Sequence, residues 1–206
     1  MKFAAFALGC VLSACLIPSA QAQQDISRPA VQRSSPWWVT GELGAGQIKL
    51  SSDQGQGNQR TKFAMGFAGG YQPVDWLRIG LHLNGWLLQA ADLNNPAVGE
   101  GVSNVGGVAD VFPLRRYGIF ARCGYGWSSY WNNRPLGTNG SGAGWEAGGG
   151  YEIPIRGRIR LVPMVEYASG SLGGGSSDTT PIQTGLHYSV FEFKVAVVGS
   201  FGHRRR

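Results

Sequence analysis

Cysteine, charge and long apolar runs are all scarce in this chain, and each shortage removes a class of protein. Three cysteines occur in 206 residues, and two of them, Cys10 and Cys15, fall within the first fifteen. Once that opening segment is removed Cys123 stands alone, so neither an internal disulfide nor a cysteine-based metal site can form. Charged residues make up 15% of the chain, low for a soluble surface. Beyond the opening segment no run of about eighteen apolar residues occurs, which excludes a membrane-spanning helix. The basic balance of 18 Lys and Arg over 12 Asp and Glu is not gathered into a stripe with stacking aromatics, so nucleic acid is not an expected partner.

The opening segment carries Lys2, an apolar stretch from Phe3 to Ile17, and then Ser19-Ala20-Gln21-Ala22, with small residues where a signal peptidase needs them. Residues 1–22 therefore read as a cleaved export signal. A second reading takes Leu12-Ser13-Ala14-Cys15 as a lipid-attachment site; both readings export the chain. Residues 23–36 are polar, contain Pro29 and Pro36, and are expected to form an irregular lead-in. Residues 202–206 form a basic tail.

What the chain has in quantity is glycine, 33 residues, and aromatics, with 7 Trp, 7 Tyr and 9 Phe. These are set in runs of about ten residues whose polarity alternates with period two, the repeat of a β-strand. The clearest run places Leu77, Ile79, Leu81, Leu83 and Leu87 on one face and Trp76, Arg78, Gly80, His82, Asn84 and Trp86 on the other. Similar runs begin near Trp37, Lys62, Val102, Ile119, Trp145, Ile159 and Tyr188. Tight turns are expected at 72–75, 113–118 and 154–157, and long polar connections at 51–60, 90–100, 132–142 and 170–186. Eight strands with short and long connections in alternation predict an all-β fold, an eight-stranded antiparallel up-and-down transmembrane β-barrel over residues 37–201. Pro163 interrupts the seventh strand, and a local bulge is expected there.

Odd-numbered residues form the lipid face, which carries no charge between its aromatic rims. A charge at mid-membrane costs a barrel about 2–4 kcal/mol. Trp37, Tyr71, Tyr151 and Phe201 are expected at one rim, and Phe63, Trp127, Trp131, Trp145 and Tyr167 at the other. The even-numbered face carries five acids, Glu42, Asp110, Glu146, Glu166 and Glu192, and five bases, Lys62, Arg78, Arg122, Arg160 and Lys194. An eight-stranded barrel has room inside only for side chains. These charges are therefore expected to form a paired network that plugs the lumen, with Glu42 beside Lys194, Asp110 beside Arg122 and Glu152 beside Arg160. The rival is a charge-lined conduction path, a narrow pore for small solutes. His82 is expected within the network, and with no second His or Cys at ligand spacing no metal or cofactor is assigned.

The eight strands, alternating connections, export signal and charged interior resemble the small outer-membrane barrel superfamily, including the membrane domain of outer-membrane protein A and opacity-type surface antigens. The resemblance covers residues 37–201 and implies a monomer in a bacterial outer membrane. Its partners would be lipid, lipopolysaccharide and the barrel-insertion machinery. In that superfamily the insertion machinery reads a closing aromatic strand; Phe191, Phe193, Val195, Val197 and Phe201 are similar, although Gly202-His203-Arg204-Arg205-Arg206 follows. The implied role is structural or interactive, with loops rich in Asp53, Asn58, Asp92, Asn94, Asn95, Asn133 and Asn139 meeting a host, phage or cell-surface ligand. His187-Tyr188-Ser189 resembles the His-x-Ser of outer-membrane lipid A deacylases and supplies the alternative, a lipid A-modifying hydrolase using His187 and Ser189. Against it, Val190 stands where that family has Asn, and Glu192 falls on the wrong face to orient His187.

Overall fold

The computed structural model describes residues 36–52, 55–56, 60–89, 99–114, 116–132, 139–177 and 180–202. The expected export signal, the lead-in to residue 35, the tail from 203, and Asp53, Asn58, Asp92, Asn94, Asn95 and Asn133 lie outside the described residues.

Alternation of polarity becomes alternation of pairing. The strands are β1 (Trp37–Ser52), β2 (Gly55–Gln56), β3 (Arg60–Val74), β4 (Leu77–Gln89), β5 (Glu100–Leu114), β6 (Ile119–Asn132), β7 (Gly140–Tyr151), β8 (Ile153–Arg156), β9 (Ile159–Ser177) and β10 (Thr180–Phe201). Among the described residues there is no helix. Each long strand pairs antiparallel with the next, and β10 returns to β1 from Trp37↔Phe201 to Ser51↔His187, closing the sheet. The short β2 extends the hairpin arm of β1, and β8 prolongs β7 against β9, so ten segments make eight staves.

The closure is staggered. The ladder from Thr40 runs through Ala68, His82, Gly106, Gly126, Gly144 and Gly170 to Tyr188, ten residues short of Val198, which pairs with Thr40 across the seam. Eight staves with a stagger of ten tilt the strands by about 40° and give a backbone radius of about 8 Å. Side chains alone fill such a space.

One end of the barrel has tight turns. At 114–118 the Tyr117 amide donates to Leu114 O at 3.0 Å and Gly118 follows at φ 73°, while Gly157 takes φ 55° in the next turn. Both positions need the left-handed conformation that glycine adopts without penalty. This is the turn end; the long connections define the loop end.

Three expectations are corrected here. No bulge forms at Pro163: Val195↔Pro163 lies in unbroken register with β10. The missing N–H instead falls on the other side, where pairing lapses between β7 and β8, and the Glu152 amide there donates to Gly118 O at 3.1 Å. The stretches 170–177 and 180–186 are strand, not loop. β9 and β10 continue through them as a two-stranded ribbon with register shifts at Pro181, Gln183 and Leu186, its backbone ladder outweighing the weak strand preference of glycine and serine. Trp76, assigned to the inner face, lies exposed in the turn between β3 and β4, because the chain reverses at Asp75 before alternation resumes.

Away from the strand ends the faces divide by parity. Leu43, Leu81, Tyr125 and Phe191 stand exposed, whereas Glu42, Arg78, Asn84 and Lys194 are buried. On the outward face Lys49 is charged, close to the loop end of β1, and Arg156 is exposed at the turn end of β8.

Candidate functional site

The buried interior is layered. At the loop end an apolar cluster joins Ile48, Trp86, Val102, Tyr130, Leu172 and Val190. At the turn end Phe112, Phe120, Val162, Met164 and Val198 form a second cluster, with Trp38, Ala68 and Val108 as a third. Between them lies a compact ionic layer from which water is excluded, so each charge must find its partner among its neighbours.

Arg122 on β6 is the hub. Its Nε and Nη2 donate to the two carboxylate oxygens of Asp110 at 2.7 and 3.2 Å, and its Nη1 donates to Glu42 Oε1 at 2.7 Å. This fork on a carboxylate is the strong form of the interaction. Lys194 on β10 lies 3.2 Å from Glu42 Oε2, 3.3 Å from Glu166 Oε1 and 3.0 Å from Glu192 Oε1. Trp86 Nε1 and Asn84 Nδ2 donate to Glu192 at 2.8 and 2.9 Å, and Asn84 also reaches Glu166. His82 sits between two carboxylates, with Nδ1 2.6 Å from Glu146 Oε1 and Nε2 3.3 Å from Glu42 Oε2.

Nearer the turn end, Arg78 pairs with Glu152, which also lies 3.6 Å from Arg160. The Arg78 guanidinium crosses the apolar cluster 4.7 Å from the Phe112 ring centre and 5.5 Å from that of Trp38. Nearer the loop end, the Tyr188 hydroxyl meets Ser128 Oγ at 2.7 Å and accepts from Asn104 Nδ2 at 3.3 Å.

Glycines make this packing possible. A Cβ on Gly66 would come within 2.9 Å of Glu42 Oε2 and 3.1 Å of His82 Nε2, and one on Gly44 would overlap Lys194, whose side chain crosses β1 there. Small residues opposite large ones are how a narrow barrel holds long side chains.

Nine of the ten charges assigned to the lumen lie in this layer or at its turn-end edge, and the pairs Glu42–Lys194, Asp110–Arg122 and Glu152–Arg160 are in contact. Lys62 is the exception. It is half-buried and makes no ion pair among the described residues; Glu192, the nearest acid by register, is held by Lys194, Asn84 and Trp86. Replacing Lys62 by Glu152 in the count corrects the expected balance of five against five. Six carboxylates, Glu42, Asp110, Glu146, Glu152, Glu166 and Glu192, share the buried interior with four permanent cations, Arg78, Arg122, Arg160 and Lys194.

Of the proposed rim aromatics, Trp37, Tyr71, Tyr151, Phe201, Phe63, Trp127, Trp145 and Tyr167 point outward and are exposed, with Trp37 edge-on to Tyr71 and Trp145 tilted against Tyr167. Trp131 is half-buried, its ring lying over Gly101. His187 is exposed and Ser189 half-buried at the loop end of β10, opposite Ser51 and Lys49. No hydrogen bond or ion pair joins either to a carboxylate among the described residues. The apolar clusters went unread in the sequence, although even-numbered Trp38, Ile48, Phe112, Phe120, Val162 and Val190 signalled them: near the strand ends both faces are apolar.

Comparison with known proteins gives the same architecture. Residues 8–197 match the family model described as outer membrane protein beta-barrel domain. Similar solved structures include Neisserial surface protein A, at 16% identity and a TM-score of 0.50, covering 82% of this chain and 99% of that one. Ail, the attachment invasion locus protein of Yersinia pestis, aligns at 10% identity and a TM-score of 0.41 over 79% of this chain and 99% of its own. The outer membrane protein OprG of Pseudomonas aeruginosa aligns at 10% and 0.42 over 84% and 98%. No curated protein sequence matches.

Proposed function

The chain belongs to the outer membrane protein β-barrel family and so resides in the bacterial outer membrane; from that premise we propose that it is a structural and interaction barrel, with a plugged lumen and a role carried by its outward connections. The observation that carries this reading is the layered interior. A permeating ion would have to pass the loop-end apolar cluster and then displace Arg122 and Lys194 from buried carboxylates. Removing one partner of such a pair costs about 3–5 kcal/mol, so the network is a poor conduit. With lumen and wall both committed to packing, recognition falls to the loop-end connections and the β9–β10 ribbon, where a host, phage or cell-surface ligand would meet the protein. Lipid and lipopolysaccharide surround the wall, and the barrel-insertion machinery would read the aromatic alternation of β10. The protein is proposed to act as a monomer, since closure leaves no edge strand between β10 and β1.

Two measurements test the proposal. In planar bilayers the purified barrel is expected to show no steady conductance, and stable open-channel currents would overturn the plugged lumen. Replacing residues 53–59, 90–98 and 133–138 by two-residue turns is expected to abolish binding of cells to host matrix or phage while the barrel still folds. Undiminished binding would overturn recognition by these three connections.

A further inference from the structure

We propose that the lumen holds one divalent metal ion of the zinc class, bound by His82, Glu146 and Glu166. These residues reach the same point from β4, β7 and β9, and one ligand atom of each lies within 4.8 Å of the others, all three side chains being buried. Donors around a four-coordinate ion with bonds of about 2.0–2.1 Å sit roughly 3.3 Å apart, so rotamer adjustment closes the site without moving a strand.

Two independent features point to a missing cation. The first is orphaned polarity: Glu166 Oε2 is buried without a hydrogen bond, on a side chain only 1% exposed. The second is charge. Six buried carboxylates face four permanent cations, a surplus of two negative charges. Protonating His82 would cancel one, and a divalent ion cancels both. The donor set sorts the ion: one imidazole and two carboxylates suit zinc and its neighbours, whereas calcium seeks six or more oxygens.

The position of Glu42 fits the same reading. A metal-bound histidine characteristically presents its second nitrogen to a carboxylate, and His82 Nε2 faces Glu42 Oε2 at 3.3 Å while Nδ1 faces Glu146. The ion takes the place of the proton between Nδ1 and Glu146 and releases it to solvent; Nε2 keeps its proton towards Glu42. Lys194, 3.3 Å from Glu166 Oε1, and Arg122, 3.9 Å from Oε2, compete for the same carboxylate and limit the affinity. Apolar clusters on both sides of the layer mean that the ion enters while the barrel folds.

The test folds the full chain in detergent with zinc, removes free metal by desalting, and counts retained zinc by mass spectrometry. Heat-dependent gel mobility serves as the check of folding. About one zinc per barrel is expected. His82→Gln and Glu146→Gln should each weaken retention at least about tenfold, while the double variant His187→Gln/His203→Gln, which removes the other two histidines, should keep it. No zinc on a folded barrel, full retention by His82→Gln, or loss in the double variant would overturn the proposal. Should the lumen variants fail to fold, cobalt(II) in the unmodified barrel decides. Intense visible bands of a four-coordinate nitrogen and oxygen site support it, and a weak octahedral spectrum places the ion on the surface.

Discussion

Removing one cation from the lumen should harm the barrel far more than removing one acid. Arg122 is the cation to remove: Arg122→Met keeps much of the stem packed near Phe120 but leaves Asp110 with Arg78 alone at 3.9 Å, and leaves Glu42 to Lys194 and His82. The surplus of negative charge grows from two to three. Breaking a buried pair in this way costs about 3–5 kcal/mol. At 1.4 kcal/mol per decade, that is a fall of roughly a hundredfold to a few thousandfold in the folding equilibrium. Glu166 is the acid to remove, since its Oε2 lacks a hydrogen bond and Lys194 retains Glu42 and Glu192 without it. Glu166→Gln lowers the surplus to one and keeps an amide in place of the carboxylate, so its cost should stay within about 1 kcal/mol, of either sign. The assay is urea-dependent folding into lipid vesicles with a chelator present, followed by tryptophan fluorescence and by gel mobility. Equal losses in the two variants, or a larger loss in Glu166→Gln, would refute the idea that the lumen is short of positive charge.

Adjacent glycines on β5 give a matched pair. A Cβ at Gly106 would press on Tyr125 O and the Gly126 backbone, whereas Gly107 has nothing within 4 Å; Gly106→Ala should cost about 1–3 kcal/mol by urea unfolding, and Gly107→Ala should be neutral or stabilise by up to about 1 kcal/mol. Leu81, 71% exposed on the outer face of β4, should tolerate Phe, while Leu81→Arg should cost about 2–4 kcal/mol in lipid vesicles. Tyr188→Phe leaves Ser128 Oγ and Asn104 Nδ2 without their shared partner; a loss of about 1–3 kcal/mol in the same unfolding assay is expected, and no loss would mean that water reaches the cluster.

The fold was legible because period two is a local property. Leu77, Ile79, Leu81 and Leu83 declare their face from their own neighbourhood, and closure follows once eight such runs alternate. The interior was legible only by sign and parity. Arg122 meets Asp110 through the register of the β5–β6 hairpin, but that it also reaches Glu42, 80 positions away in the chain, depends on the ten-residue stagger. The cluster of His82 with Glu146 and Glu166 depends on the same stagger, and no local spacing announces it. Lys62 shows the limit from the other side: its parity is that of the network, but the acid nearest it by register, Glu192, is already held by Lys194, Asn84 and Trp86. In 170–177 and 180–186 glycine and serine signal a loop, whereas the partner strand holds the sequence extended.

The bond from Lys194 to Glu42 spans the seam between the last stave and the first, 152 residues apart in the chain. No partial barrel can make it, so until the final strand arrives Glu42 must keep water or another partner. The seam is thus a test of completeness: a chain without its last stave leaves Glu42 and Glu166 without the cation they share, Lys194. Unfolding faces the same step in reverse, since reopening the seam admits water to the layer between the apolar clusters.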